Sequence, residues 1–277
     1  MRSIKNLTII FTLFVFIINL ATPAAFSNIT PGPITALSVS PFNISRGCGT
    51  NTEDLTIEEL DGWKTKIEAY LVSKPEDVKA IYEDARIHTE KEEYEKAILD
   101  YNRAIQIDSA YLDAYVGRGN LYTKIDADEK AIADFNYVLS KEPERASVLT
   151  ARGYTYLRLG QYERVITDLN EAVRLGMNSG CTQSILGFAH TGLGNYHQAM
   201  IHFDQAIQMK PALSKAWIGR GLVHYKTGQY ANAIEDYNQA IQLKPTSRYA
   251  YVMRAKSHFK QKHYLQGIYD YLRAPKK

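Results

Sequence analysis

Residues 97–105 read AILDYNRAI, and the same line returns as AIADFNYVL from Ala131, VITDLNEAV from Val165, AMIHFDQAI from Ala199 and AIEDYNQAI from Ala233. A shorter copy, GIYDYLRA, starts at Gly267. The step is 34 positions each time, without insertion or deletion, from about Val78 to the C-terminus. Such a period means that the chain stacks one supersecondary unit on the next rather than closing around a single core. A stack of this kind offers a surface to a partner, not a cleft for chemistry.

Other positions recur in the same frame. Tyr115, Leu149, Trp217 and Tyr251 are large; Ala85, Gly119, Gly153, Gly187, Gly221 and Ala255 are small. Gly160, Gly194 and Gly228 mark a turn between two helices, and Pro143, Pro211 and Pro245 close the second helix. Small residues also fall at Ala97, Ala131, Ala199 and Ala233, with aromatics Tyr101, Phe135, Phe203 and Tyr237 four places on. Small side chains let helices approach to about 8–10 Å, and a proline disfavours helix at the residue before it. This pattern resembles the tetratricopeptide repeat over about 200 of 277 residues. The resemblance implies an all-α, right-handed superhelical solenoid of six helix-turn-helix repeats, near 78–111, 112–145, 146–179, 180–213, 214–247 and 248–277. It also implies a concave groove lined by the first helices, and a protein or peptide as partner.

The copies are not all alike. Val138, Val165 and Gly267 stand where small residues are usual, as adjustments of the core. Gln183 replaces a large residue, and Gly176 and Met177 stand where a proline stop is expected, so RLGMNSGC is the least regular junction. Arg118, Arg152, Arg220 and Arg254 each have an aspartate 16 residues on, at Asp134, Asp168, Asp236 and Asp270. The fourth copy has Leu186 and His202 instead, losing both together. That covariation predicts an Arg–Asp bridge between the two helices of a unit.

Arg2 and Lys5 precede an apolar run from Leu7 to Leu20 and then ATPAAFS, the form of a secretory signal peptide over 1–25. The protein is therefore expected to be exported, periplasmic or secreted, with a mature start between Ala25 and Asn28. An uncleaved signal anchor is the alternative, and the only expected membrane link. Residues 26–52 are rich in Pro, Ser, Gly and Asn and read as a linker, with formal sequons at Asn28 and Asn43. Residues 53–74 read as a helix capping the first repeat: Thr56 and Glu59 have capping-box spacing, and Ile57, Leu60, Trp63, Ile67 and Leu71 form an apolar stripe. Cys48 and Cys181 are 133 positions apart and leave two unrelated thiols or one disulfide open.

The formal charge of +3 conceals a gradient. Residues 51–145 carry 13 Lys+Arg and 23 Asp+Glu, a net of −10; residues 146–213 carry 5 and 4, a net of +1; residues 214–277 carry 12 and 3, a net of +9. Sequence order is spatial order in a solenoid, so one end is acidic and the other basic. Nucleic acid is a poor partner for an exported chain that is acidic over a third of its length. The basic end suits a partner with an acidic portion, an anionic envelope surface, or the acidic end of a second copy.

On the resemblance, the groove runs from mixed charge in the first two copies to Tyr154, Leu157, Ile185 and Phe188, then to Ile218, Leu222, Tyr225, Val252 and Phe259. Lys215, Lys226, Lys256 and Lys260 stand beside the last group. Apolar surface with a basic rim suits a peptide, so the partner-binding residues are expected among these. The family's chaperone-clamp set is unmatched: Asn120 fits one place, but Ala151 stands at the next. His88, His190, His224 and His258 share a position that is Tyr122 and Tyr156 elsewhere, and read as packing aromatics rather than metal ligands. No phosphate loop, HExxH, CxxC or GxSxG occurs, so neither an enzyme nor a cofactor is expected. The readings left are a scaffold for a protein or peptide, a structural module on an anionic surface or on itself, and, least favoured, an enzyme built on Cys181.

Overall fold

A computed structural model describes residues 57–275. The expected signal peptide, the expected linker with Asn28, Asn43 and Cys48, and Thr56 of the expected capping box lie outside them. The described residues form thirteen helices and no strand. They are α1 (Ile57–Ser73), α2 (Val78–Glu90), α3 (Tyr94–Ile107), α4 (Leu112–Lys124), α5 (Asp128–Lys141), α6 (Ala146–Arg158) and α7 (Tyr162–Arg174). Then come α8 (Gly180–Gly192), α9 (Tyr196–Met209), α10 (Ser214–Lys226), α11 (Tyr230–Leu243), α12 (Arg248–Lys260) and α13 (Tyr264–Arg273). The last twelve make six pairs. Each pair packs on the next, and first helices also touch first helices. The result is a right-handed superhelical solenoid of six repeats, with α1 laid over the first.

Each pair is joined by a three-residue turn whose middle residue has positive φ. Glycine serves at Gly160, Gly194 and Gly228, but Glu92, Asp126 and Lys262 hold the same conformation at φ 61, 61 and 63°. The following N–H reaches back to close the helix, as Gln161 does to the Tyr156 carbonyl at 2.9 Å. The irregular third junction ends differently. Gly176 at φ 93° takes over from the missing proline, and the Met177 N–H donates to the Ala172 carbonyl at 2.8 Å.

Small residues and aromatics meet inside each pair. Tyr101, Phe135, Leu169, Phe203 and Tyr237 are almost wholly buried. A Cβ added to Gly187 would lie 2.7 Å from the Phe203 ring, so this crossing tolerates no side chain. Val138 and Val165 are buried among these residues, as core adjustments should be.

The predicted Arg–Asp bridge is present in four repeats, and it does more than join two helices. Arg152 donates Nε and Nη2 to both carboxylate oxygens of Asp168 at 2.8 Å. Its Nη1 donates to Asn136 of the preceding repeat at 2.7 Å. Arg118 spans Asp134 and Asn102, Arg220 spans Asp236 and Asp204, and Arg254 spans Asp270 and Asn238. Each guanidinium also lies near an aromatic ring, as Arg220 does at 4.8 Å from Trp217. One side chain therefore fixes the angle within a repeat and the step between repeats. The aspartates are buried; at Asp236 burial raises the carboxyl above its usual range, partly opposed by Arg220.

The first repeat reverses this chemistry, with Asp84 at the arginine position. Lys64 of α1 supplies the cation to Asp84 at 3.0 Å, and Asp61 of α1 pairs with Lys91 at 2.5 Å. The stripe of α1 is only partly inward: Leu60 is buried, whereas Trp63 is 55% exposed beside a groove of about 550 Å³ between α1 and α2. At the other end, Leu265 and Leu272 of α13 are 69% and 77% exposed.

Candidate binding groove

The groove is built from equivalent positions on α2, α4, α6, α8, α10 and α12. At its acidic end Lys79, Arg86 and Asn120 are exposed. At its basic end Tyr225, Val252, Lys256 and Phe259 are half-buried, and Lys226 and Lys260 are exposed. Leu157, midway, is also half-buried. The sequence reading placed too many apolar anchors on the open face. Tyr154, Ile185, Phe188, Ile218 and Leu222 are buried, Leu222 at 3% exposed. The reason is the close step between repeats. Ile185 packs with Val165 and Leu169, Phe188 with Phe203 and Val223, and Leu222 with Tyr237 and Met253. Phe188 meets Phe203 edge-on at 5.1 Å between centroids. Leu157 packs against the Phe188 cluster, and Tyr225 against the Leu222 cluster.

Lys215, at the start of α10, has a buried Nζ with no hydrogen-bond partner among the described residues. Burial, with Lys244 adding repulsion, lowers its amine to about 8. Among the described residues no anion pairs with it.

The fourth repeat stands apart. With Leu186 and His202 in place of arginine and aspartate, its ladder rung is gone. His202 Nδ1 instead meets Gln183 Oε1 at 2.7 Å, and Gln183 Nε2 donates to Asn178 at 2.8 Å. His190 stacks on His202 at 5.1 Å, and burial lowers both imidazoles below their ordinary range. Gln183, read as a departure from a large residue, is thus the hinge of a polar chain. Every residue of α8 from Gly180 to Ala189 is buried. The sequence carried a trace of this: no Asp, Glu, Lys or Arg stands between Arg174 and Asp204.

Cys181 is in a disulfide, so the reading of two unrelated thiols is corrected; the other cysteine of the chain, Cys48, lies outside the described residues. A sulfur so bonded is no free nucleophile. The repeat-position histidines do not converge on one point. His88 meets Asp100 at 2.7 Å and lies near Asp84, but Lys64 already neutralises Asp84. No described helix is long and apolar enough to cross a membrane.

Family models described as Tetratricopeptide repeat match residues 146–175, 184–213 and 214–247, and one described as TPR repeat matches 85–126. The chain is a tetratricopeptide repeat protein. Neither match to the third and fourth repeats of this tetratricopeptide protein covers 176–183, the irregular junction. No curated protein sequence is significantly similar to it. Among solved structures it is similar to a tetratricopeptide repeat protein from Parabacteroides merdae, at 19% identity and TM-score 0.67, over 84% of this chain and 89% of that one. It is similar to the APC/C hetero-tetramer Cut9–Hcn1 at 16% identity and TM-score 0.68, over 84% of this chain and 48% of that one. YrrB, described as a TPR protein with an unusual peptide-binding site, aligns at 22% identity and TM-score 0.54, over 66% of this chain and 95% of that one. At these identities the structures share the fold alone. The repeats themselves support a scaffold for protein–protein interaction.

Proposed function

We propose that this protein is an exported scaffold that holds a protein or peptide along the concave face of its third to sixth repeats, the acidic part of that partner toward the C-terminal end. The observation that carries this reading is the basic end of the groove. Exposed Lys226 and Lys260, at the ends of α10 and α12, share these helices with half-buried Tyr225, Val252 and Phe259, and Lys215, at the start of α10, has no hydrogen-bond partner among the described residues. An apolar strip with cations on the same helices suits an extended acidic segment. The signal-like N-terminus supports export, as does a disulfide at Cys181, since such bonds persist in oxidising compartments. N-terminal sequencing of exported material tests that part: a mature start between Ala25 and Asn28 fits, and a membrane-bound chain retaining Met1 does not.

Affinity capture with the mature chain, followed by binding kinetics at two salt concentrations, tests the groove. Tyr225→Ala should speed dissociation. Lys226→Gln with Lys260→Gln should slow association and flatten its salt dependence. Wild-type kinetics for all three changes would remove the groove from consideration.

A second reading is favoured by the exposed face of α13. Leu272 stands where Asn102, Asn136 and Asn238 accept the arginine of a following repeat, and Leu265 and Tyr269 are exposed beside it. That surface suits contact with a second copy or an envelope component. Concentration-dependent sedimentation, abolished by Leu272→Asn, would support it.

A further inference from the structure

Helix α1 holds the place of a second helix, and among the described residues no first helix precedes it. Its residues 60–73 stand one 34-residue step before α3 (Tyr94–Ile107) and end at the same point of the repeat. Its contacts agree with that frame. Lys64 bridges Glu68 and Asp84 at 3.1 and 3.0 Å, and those two hold the positions at which Asn102 meets Arg118 one repeat on. Trp63, Ile67 and Tyr70 then correspond to Ala97, Tyr101 and Ala104, which are buried in the core of the first repeat. In α1 the same face is open: Trp63 and Tyr70 are exposed, and Ile67 is half-buried. All three line the groove of about 550 Å³ against α2, with Glu83 and Arg86 on the α2 side. A first helix packs on its own second helix and on the next first helix. The groove between α1 and α2 is therefore shaped to take a helix.

The last described helix breaks the pattern of its repeat position. Leu265 stands where Glu95, Glu129 and Glu163 stand, and Leu272 where Asn102, Asn136 and Asn238 stand. With Tyr269 they form an exposed apolar stripe at i, i+4 and i+7, the spacing of side chains that anchor a helix in a groove. The lengths match: ten steps from Leu60 to Tyr70 and the 10 residues of α13 each cover about 15 Å. So do the charges. Residues 57–90 carry 5 Lys+Arg and 9 Asp+Glu, a net of −4, and residues 248–273 carry 6 and 1, a net of +5.

We propose that α13 of one copy lies in the α1–α2 groove of the next, joining copies of this protein head to tail. The proposal rests on the second reading above, that α13 meets a second copy, and names the surface that receives it. Such a contact leaves a groove open at one end of the assembly and an α13 open at the other, so it propagates or closes into a ring. It uses the first repeat alone. The third to sixth repeats of every copy stay available to a partner, and the assembly binds that partner with several sites at once.

The test is sedimentation of the mature chain over a range of concentrations, with two variants that each spoil one surface. Trp63→Glu breaks the groove, and Leu265→Glu with Leu272→Asn breaks the helix; far-UV circular dichroism checks that both stay folded. Wild type should assemble, less so as salt rises. Each variant alone should stay monomeric. Their mixture should give a one-to-one dimer and nothing larger, because one intact groove and one intact helix remain. Hydroxyl-radical labelling of Trp63 should fall several-fold as wild type assembles. A Trp63→Glu chain that assembles like wild type would overturn the groove while leaving α13 as a contact between copies. A wild-type chain monomeric at every concentration would overturn both. Trp63 already protected in the dilute monomer would show the groove filled by the chain itself, and would overturn the proposal too.

Discussion

A single arginine per repeat carries much of the geometry of this solenoid. Because Arg152 meets Asp168 in its own repeat and Asn136 in the one before, its loss loosens two joints at once. In a double-mutant cycle, Arg152→Ala and Asp168→Ala should show about 0.5–3 kcal/mol of coupling, measured by chemical denaturation. Strict additivity would reduce the bridge to a bystander. The sequence disclosed the Arg–Asp half of this contact, because both residues vanish together in the fourth repeat. It did not disclose the asparagine, which persists as Asn170 in the third repeat with no arginine opposite it. The turns offer a cleaner test. Lys262 is exposed at φ 63°, where a side chain costs energy that glycine does not. Lys262→Gly should stabilise the chain by about 0.5–1 kcal/mol, net of glycine's greater freedom when unfolded; a lower melting temperature would refute this.

At the scale of the element, helix boundaries and repeat frame were legible because the period leaves one consistent assignment. The open face was not, because a groove position and a core position share one helical stripe. Tyr154, Ile185, Phe188, Ile218 and Leu222 look the same in sequence as Tyr225 or Phe259. Only the close step between repeats decides which are covered. The fourth repeat adds a pH dependence. Its imidazoles, His190 and His202, are lowered by burial, with His190 adding repulsion at His202. A histidine so lowered binds its proton more readily in the unfolded chain. The stability it lends is complete above the unfolded value of 6.5 and is lost as pH falls below it. Hydrogen exchange in 180–209 should therefore accelerate between pH 7.5 and 5.5, beyond the intrinsic pH effect and more than in 214–247. Restoring the rung with Leu186→Arg and His202→Asp should reduce that difference, and each change alone should be more costly than both together.

Over the whole molecule, charge and shape point the same way. Net charge passes from −10 over 51–145 to +9 over 214–277, and a solenoid keeps that order in space. Association with an acidic partner should weaken as salt rises, and charge reversal at Lys226 and Lys260 should weaken it more than reversal at Lys79. The central claim is that the concave face does the binding. A photo-crosslinking residue placed at Tyr225, and separately at convex Ile201, tests it on the natural partner in its own cells. Crosslinks from position 225 and none from 201 are the predicted result. Crosslinks from 201 alone would contradict the account.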